Sequence, residues 1–428
     1  MNIAIRNGRV VDPKNGVDAK QDLFVSEGKV AAVGRTPAGF RPERTIEAAG
    51  HVVCPGLVDL SARLREPGFE YKATLESEML AAAAGGVTSL ACPPDTDPPL
   101  DEPGLVEMLK HRAKSLNLVH VYPVGALTAR LNGERLSEMA VLADAGCVAF
   151  SQADAPLADT QVLWRAMQYA STFGFSVWLR PQDAYLARDG VAHDGEVATR
   201  LGLAGIPPFG ETIALATILR LARATDVRLH LCRLSTAEAV HMVRQAKSEG
   251  LAVTCDVSAH HAHLSEMDIG YFDSHCHVVP PFRSLRDRDA LRQGLADGTV
   301  DALCSDHAPV DEDAKLLPFG ESEPGATGLE LLLPLALKWA NEMRRPLSAA
   351  LAPVTCRPAA ILGLEAGHLA PGAVADICVF DPEAPLRITP ELLKSQGKNT
   401  PFLGYELAGQ VRCTLVSGQV VYEGGFRG

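Results

Sequence analysis

The sequence predicts an α/β protein in which an eight-stranded (β/α)8 barrel, a TIM barrel, carries a small β-sandwich domain formed by both termini. In residues 55–366, short apolar segments alternate with helix-like stretches, which is typical of a parallel barrel. Residues 1–54 and 367–428 instead show short alternating segments separated by turns, as antiparallel strands do. The two ends therefore predict one composite β-sandwich domain around the barrel.

The barrel strands are predicted from eight apolar segments, and helix-like stretches such as 76–84, 212–223 and 237–249 lie between most of them. Segments that are apolar on both faces favour a parallel sheet covered by helices over a half-exposed antiparallel one. In the terminal domain, Glu27-Gly28 and Ser417-Gly418 read as hairpin turns. The predicted barrel strands are 57–60, 87–92, 119–124, 147–150, 175–179, 227–232, 252–256 and 301–305.

Composition excludes several classes of function. The chain has 428 residues, of which 47% are hydrophobic and 21% charged, as expected for a folded soluble protein. A formal net charge of -12 argues against non-specific nucleic-acid binding. The sequence predicts no membrane span and no signal peptide, and cysteines without CxxC pairs are expected to be reduced thiols. We therefore expect a cytoplasmic protein.

The segment from Pro55 to Gly68 is the most informative stretch of the chain. It reads PGLVDLSARLREPG, a short apolar strand followed by polar residues and a Pro-Gly turn. Positions two apart in a strand point the same way, so Ser61 and Arg63 are predicted to share one face at the strand's end. The wording resembles the dihydroorotase and hydantoinase branch of the amidohydrolase superfamily, in which a metal-binding His-x-His pair occupies those two positions.

The resemblance implies where metal ligands would lie at the ends of strands one, four, five, six and eight. Only Asp306, the metal-binding general base of active relatives, keeps its residue type. An arginine stays protonated and offers no lone pair to zinc. We therefore expect no zinc or other cofactor and no catalytic residue, with Asp306 as a vestige. The degenerate ligand positions are Ser61, Arg63, Gln152 (or Ala153), Arg180 and Arg233.

The resemblance also implies altered substrate contacts. Arg65 keeps the position that binds a substrate carboxylate, but Asp95 replaces an asparagine and Val310 replaces a histidine. The arginines allow two interpretations. They form an ion-pair network with Asp306 and neighbouring carboxylates, because a lone buried carboxylate is costly, or they hold a small anion. The candidate anion-binding residues are Arg63, Arg65, Arg180 and Arg233.

Two further chemistries are open but less favoured by the sequence. Several histidines could form a new metal cluster, although packing and surface roles are commoner for such residues. Cys232 and Cys304 end strands, but the sequence places no basic partner beside either one. The histidines are His260, His261, His263, His275 and His277.

Three functions follow as hypotheses. The leading one is a catalytically inactive dihydroorotase homologue, because the resemblance includes pseudo-enzymes that serve as structural partners of aspartate transcarbamoylase in bacterial pyrimidine biosynthesis. Such a chain is expected to form a homodimer or a hetero-oligomer with the transcarbamoylase catalytic subunit. The alternatives are a divergent cyclic-amide hydrolase that uses few metals, and a small-anion binding module.

Overall fold

The N-terminal part of the chain forms short strands, as predicted. In this computed structural model, which describes residues 1–425, the first seven strands occupy residues 3–55. They are β1 (Ile3–Arg6), β2 (Arg9–Asp12), β3 (Val17–Lys20), β4 (Asp22–Ser26), β5 (Lys29–Gly34), β6 (Arg44–Glu47) and β7 (Val52–Pro55).

The middle of the chain forms a parallel barrel sheet. Its eight strands lie in the order β8-β9-β10-β11-β12-β15-β16-β17, while β13 and β14 pair with each other outside it. Every neighbouring pair in the barrel sheet is parallel. The strands are β8 (Leu57–Asp59), β9 (Val87–Cys92), β10 (His120–Ala126), β11 (Ala149–Ser151), β12 (Ser176–Leu179), β13 (Ala192–His193), β14 (Gly205–Ile206), β15 (Arg228–Leu231), β16 (Val253–Ser258) and β17 (Ala302–Cys304).

Helices connect these strands and cover the outside of the barrel. Side-chain caps fix several helix starts: Thr74 accepts from Ser77 N, and Asp159 accepts from Gln161 N. Within residues 1–425, the helices are too short or too polar to cross a bilayer. They are α1 (Leu75–Ala84), α2 (Pro103–Leu116), α3 (Met139–Ala145), α4 (Thr160–Phe173), α5 (Glu196–Leu201), α6 (Phe209–Thr225), α7 (Ala237–Ser248), α8 (Leu285–Asp297), α9 (Glu312–Lys315), α10 (Leu332–Glu342), α11 (Leu347–Leu351) and α12 (Cys356–Leu362).

Both ends of the chain contribute to the β domain. The C-terminal strands are β18 (Ile377–Arg387), β19 (Glu406–Val416) and β20 (Gln419–Glu423). They join the N-terminal strands in a six-stranded sheet of order β20-β19-β18-β7-β2-β3, and a four-stranded sheet has the order β5-β4-β1-β6. Apolar side chains of both sheets, such as Ile3, Val53 and Ile377, form one buried cluster. The prediction of a barrel with a β domain built from both termini is thus confirmed.

The barrel closes between its first and last strands just beyond their ends. Ala62 pairs with His307 in a single parallel bridge, with Arg63 N donating to His307 O at 2.9 Å. The buried His307 ring in turn contacts the Glu78 carboxylate of α1. This seam fixes Arg63 and Asp306 beside each other in the barrel wall.

The cysteines are reduced, as the sequence predicted. All ten are free thiols, and most are buried. Cys54 and Cys378 lie opposite each other in the antiparallel pair of β7 and β18, where burial raises the pKa of the Cys54 thiol.

Packing between the β domain and the barrel predicts that a side chain added at Gly86 would destabilise the protein. This residue has a φ of +79°, and an added Cβ would lie 2.6 Å from Cys378 Sγ. Gly250 has a similar φ of +83° but nothing within 4 Å. We expect Gly250→Ala to lower the free energy of unfolding by about 1 kcal/mol and Gly86→Ala by about 1–3 kcal/mol more. Urea unfolding checks this, and equal losses in the two variants would contradict the packing argument.

Candidate functional site

Charged side chains follow five barrel strands at the point where each strand ends. Because the carboxyl ends of parallel strands meet at one edge of a barrel, these side chains converge on its mouth. Arg63 follows β8, Asp154 follows β11, Arg180 follows β12, Arg233 follows β15 and Asp306 follows β17.

Three of these strand ends contain a residue with a positive φ angle at the mouth of the barrel. Ala153, Arg233 and Asp306 have φ values of 50°, 52° and 47°, a left-handed conformation that costs energy in residues other than glycine. A buried carboxylate holds one of them, since Asp256 Oδ1 accepts from Arg233 N at 2.8 Å. Strain of this kind persists where surrounding contacts compensate for it, and for Arg233 and Asp306 those contacts include ion pairs.

Asp154 is the centre of the charged cluster. Its carboxylate lies 2.5 Å from Arg63 Nη2, 2.6 Å from Arg180 Nε and 2.5 Å from Arg233 Nη2. Arg180 Nη2 also donates to the Asp154 carbonyl oxygen at 3.1 Å. Three guanidinium groups from three strands therefore bind one carboxylate from a fourth.

Two further carboxylates complete the cluster. Asp306 Oδ1 accepts from Arg233 Nη1 at 3.0 Å and lies 3.5 Å from Arg63 Nη1. Asp95 Oδ2 accepts from Arg63 Nε at 2.7 Å. The arginine side chains are almost fully buried, at 5–6% exposure. The convergent ion-pair network that the sequence predicted is therefore present.

The electrostatics follow from burial and pairing. Burial alone would raise the pKa of Asp154, but the charges of Arg233, Arg63 and Arg180 outweigh it and hold that pKa well below its usual value. For Asp306, burial dominates and raises the pKa even though Arg233 and Arg63 oppose it. Asp154 thus stays ionised over the whole neutral and mildly acid range, and it anchors the arginines.

The cavity beside the cluster is not positively charged. It has a volume of about 180 Å³, and its lining includes two arginines against four carboxylates. Arg65 is 9% exposed and donates from Nε to Pro309 O at 2.8 Å. This balance does not favour a small anion at the candidate residues. The charged lining residues are Arg63, Arg65, Asp95, Asp154, Asp306 and Glu323.

Two degenerate ligand positions make other contacts. Ser61 accepts through its backbone oxygen from His307 N at 3.0 Å and Ser305 Oγ at 3.2 Å. The Gln152 amide contacts Thr128 Oγ1 and Leu131 O, so it does not join the ion-pair cluster. Asp154, two residues after Gln152, does join the cluster. The ligand positions that the family resemblance implies do not include it. Counting charges at the strand ends would have found it, because Asp154 is the only carboxylate in segment 149–154.

A divalent cation does not fit this mouth. The positions where the family resemblance implies ligands hold three guanidinium groups, which have no free lone pair and repel a cation. Their hydrogen bonds already occupy both oxygens of Asp154 and one oxygen of Asp306. Zinc would require these ion pairs to break first, so we derive no catalytic step through a metal here.

The histidines that the sequence singled out serve local contacts. Burial lowers the pKa of His260, His263 and His277 to about 4 and that of His261 to about 3, so all four are neutral at pH 7. His260, His261 and His263 face backbone carbonyl oxygens, while His275 and His277 contact the side chains of Asp273 and Ser322. In the part of the chain that the structure describes, none of the five belongs to a cluster with metal-binding geometry.

One such cluster does occur within residues 1–425, at His230, Cys232 and Asp256. Its groups already bond within the protein: His230 Nε2 lies 2.9 Å from Asp256 Oδ2, and His230 Nδ1 lies 2.9 Å from Thr254 Oγ1. A thiolate nucleophile is equally unfavoured, because burial raises the pKa of the Cys232 and Cys304 thiols well above the usual value.

The fold and the strand-end site define an amidohydrolase-type barrel protein. A model described as "Amidohydrolase family" matches residues 182–422, and one described as "Dihydro-orotase-like" matches residues 50–239. A dihydroorotase-like protein of Pseudomonas aeruginosa is 46% identical over 99% of this chain and 100% of its own length. A dihydroorotase of Geobacter sp. strain M21 is 40% identical with the same coverage. The chain therefore belongs to the dihydroorotase-like amidohydrolase family.

Solved structures agree with this assignment. An L-hydantoinase (dihydropyrimidinase) from Arthrobacter aurescens is similar with a TM-score of 0.88 and 26% identity, covering 99% of this chain and 96% of that one. A dihydropyrimidinase from Brevibacillus agri, at 21% identity and a TM-score of 0.82 over 99% and 95% of the two chains, supports the fold alone.

The cluster predicts a large stability loss on removing its central charge. We expect Asp154→Asn to lower the free energy of unfolding by about 2–3 kcal/mol at pH 7, because three buried guanidinium groups lose their shared partner. The control Asp18→Asn removes an exposed pair with Arg9 and should cost less than about 1 kcal/mol. Urea unfolding measures both.

The same variants test how the stability contributed by the Asp154 charge depends on pH. Because the pKa of Asp154 is lower in the folded chain, its stabilisation is complete above the unfolded value of about 4 and declines as the pH falls below it. The stability gap between the wild type and Asp154→Asn should therefore narrow at about pH 3. A gap that stays constant would show that Asp154 does not act through its charge.

Proposed function

We propose that this chain is a catalytically inactive member of its family that acts as a structural partner of aspartate transcarbamoylase. The observation that carries the proposal is the ion-pair cluster at the barrel mouth. Amide hydrolysis in such a barrel uses a cation to activate water and polarise a carbonyl. Arg63, Arg180 and Arg233 instead fill the cation's position with their own charges, and the three carboxylates of the cluster neutralise them.

The intact fold around the barrel mouth supports a non-catalytic function for this chain. The barrel, the β domain and the seam between β8 and β17 persist around a mouth without a donor set for zinc. In a protein that served only as an enzyme, loss of the active site would leave the remaining fold without a function. A chain that holds a partner in a larger assembly would account for both the intact fold and the mouth without zinc ligands. Pseudo-enzymes of this family associated with aspartate transcarbamoylase provide the analogy.

A second candidate is a divergent cyclic-amide hydrolase. The relatives named dihydroorotase and the retained Asp306 favour it, because that residue is the general base in active enzymes of the family. This function would need the arginines to leave the mouth, at the energetic cost of separating the buried pairs.

The two candidates differ in metal content and turnover. We expect the purified chain to hold no stoichiometric zinc at its mouth and to leave dihydroorotate and hydantoin unhydrolysed, because arginines occupy the ligand positions. Elemental analysis and an absorbance assay measure this, with an active dihydroorotase assayed in parallel as the control. Turnover that disappears in Asp306→Asn would establish the hydrolase instead.

Association with the transcarbamoylase is the direct test of the structural function. Mixed with the aspartate transcarbamoylase catalytic subunit of its own organism, the chain should elute as one larger complex of defined mass. Size-exclusion chromatography with light scattering measures that mass, and bovine serum albumin mixed in the same way is the control. Two components that elute separately at all protein concentrations would refute the proposal.

A further inference from the structure

Two segments at the rim of the barrel mouth expose large apolar side chains. Residues 266–277 follow β16, and residues 311–323 follow β17, so both emerge at the carboxyl ends of their strands. Tyr405 is near enough to the first segment for Asp268 to raise the pKa of its hydroxyl, in addition to the larger effect of partial burial. We name these side chains the rim surface: Met267 (55% exposed), Tyr271 (91%), Phe272 (38%), Leu316 (77%), Leu317 (47%) and Tyr405 (39%).

Hydrogen bonds hold the two segments together as one surface. Ser274 Oγ donates to Lys315 O at 2.5 Å, and Lys315 Nζ donates to Ser274 O at 3.0 Å and His277 O at 3.2 Å. The His277 and Phe319 rings stack with their centroids 5.1 Å apart. The exposed side chains therefore stand on a fixed framework.

The exposed charge within the two rim segments has one sign. Residues 266–277 contain three acidic residues and no lysine or arginine, and residues 311–323 contain five acidic residues and one lysine. That lysine is Lys315, whose buried ammonium is used by backbone carbonyl oxygens. Exposed carboxylates remain at Asp273, Glu312, Asp313 and Glu321.

We infer that the rim surface binds a different protein whose contact area has an apolar centre and basic side chains around it. Exposed clusters of aromatic and aliphatic residues mark interaction sites, and opposite charges favour their association. A second copy of this chain fits poorly, because a two-fold contact would place the acidic rim against itself. The inference rests on the proposed structural function, and it names the place and the chemistry of the contact.

The test measures affinity for the aspartate transcarbamoylase catalytic subunit by calorimetry, using the full chain. The double variant Tyr271→Ser/Leu316→Ser should raise the dissociation constant about tenfold or more, since it removes the two most exposed apolar groups. The variant Glu312→Lys/Asp313→Lys should also weaken binding and reduce its sensitivity to salt. The matched control Tyr185→Ser removes a tyrosine that is 70% exposed after β12 and should leave the affinity unchanged.

Each other outcome has a distinct meaning. If the wild-type chain does not bind the subunit at all, both the structural function and the rim surface are refuted. If it binds and both rim variants bind equally well, only the rim surface is refuted. If the wild-type chain instead self-associates and Tyr271→Ser/Leu316→Ser abolishes that, the occupant is a second copy, which overturns the inference.

Discussion

Charge neutralisation at the barrel mouth is the constraint on which the rest of this site depends. A buried guanidinium group is stable only when carboxylates or carbonyl oxygens satisfy it. Arg63, Arg180 and Arg233 share Asp154, and the first and third also contact Asp306. A single arginine at one of these positions, without the carboxylates of the cluster, would leave a buried charge unpaired. The residues of this mouth therefore depend on one another as a set.

The cluster also contributes to the barrel as a structure. Its members come from β8, β11, β12, β15 and β17 and from the segment after β9, so the ion pairs cross the ring of strands. The family resemblance implies that metal ligands would come from the same strand ends. Ion pairs can thus take over the linking role of a cation while excluding its chemistry. Under the proposed non-catalytic function, this explains how the frame could persist without hydrolysis.

Much of this fold could be predicted from the sequence, because alternating apolar segments and helices leave few arrangements other than a parallel barrel. The convergence of the arginines at the barrel mouth followed from strand ends meeting at one edge, and two of them contact Asp306 as expected. The sequence could not show that Gln152 turns toward Thr128, or that Ala153 adopts the left-handed conformation that precedes Asp154 in the mouth. Those outcomes depend on contacts between residues far apart in the chain. The rim surface was missed for a similar reason, since apolar residues in loops look like core until their exposure is known.

The ion-paired mouth and the rim surface are physically related under the proposed function. An enzyme that works at the end of a barrel must keep its strand-end loops open to substrate, which limits how much of the rim a partner can cover. A chain whose mouth is filled by ion pairs has no such requirement. If the chain is non-catalytic, as we propose, Tyr271 and Leu316 can contact another protein without obstructing a reaction at the mouth that Arg63, Arg180 and Arg233 line. The two proposals, a mouth without a metal site and a docking surface at the same rim, are therefore compatible with one change of function.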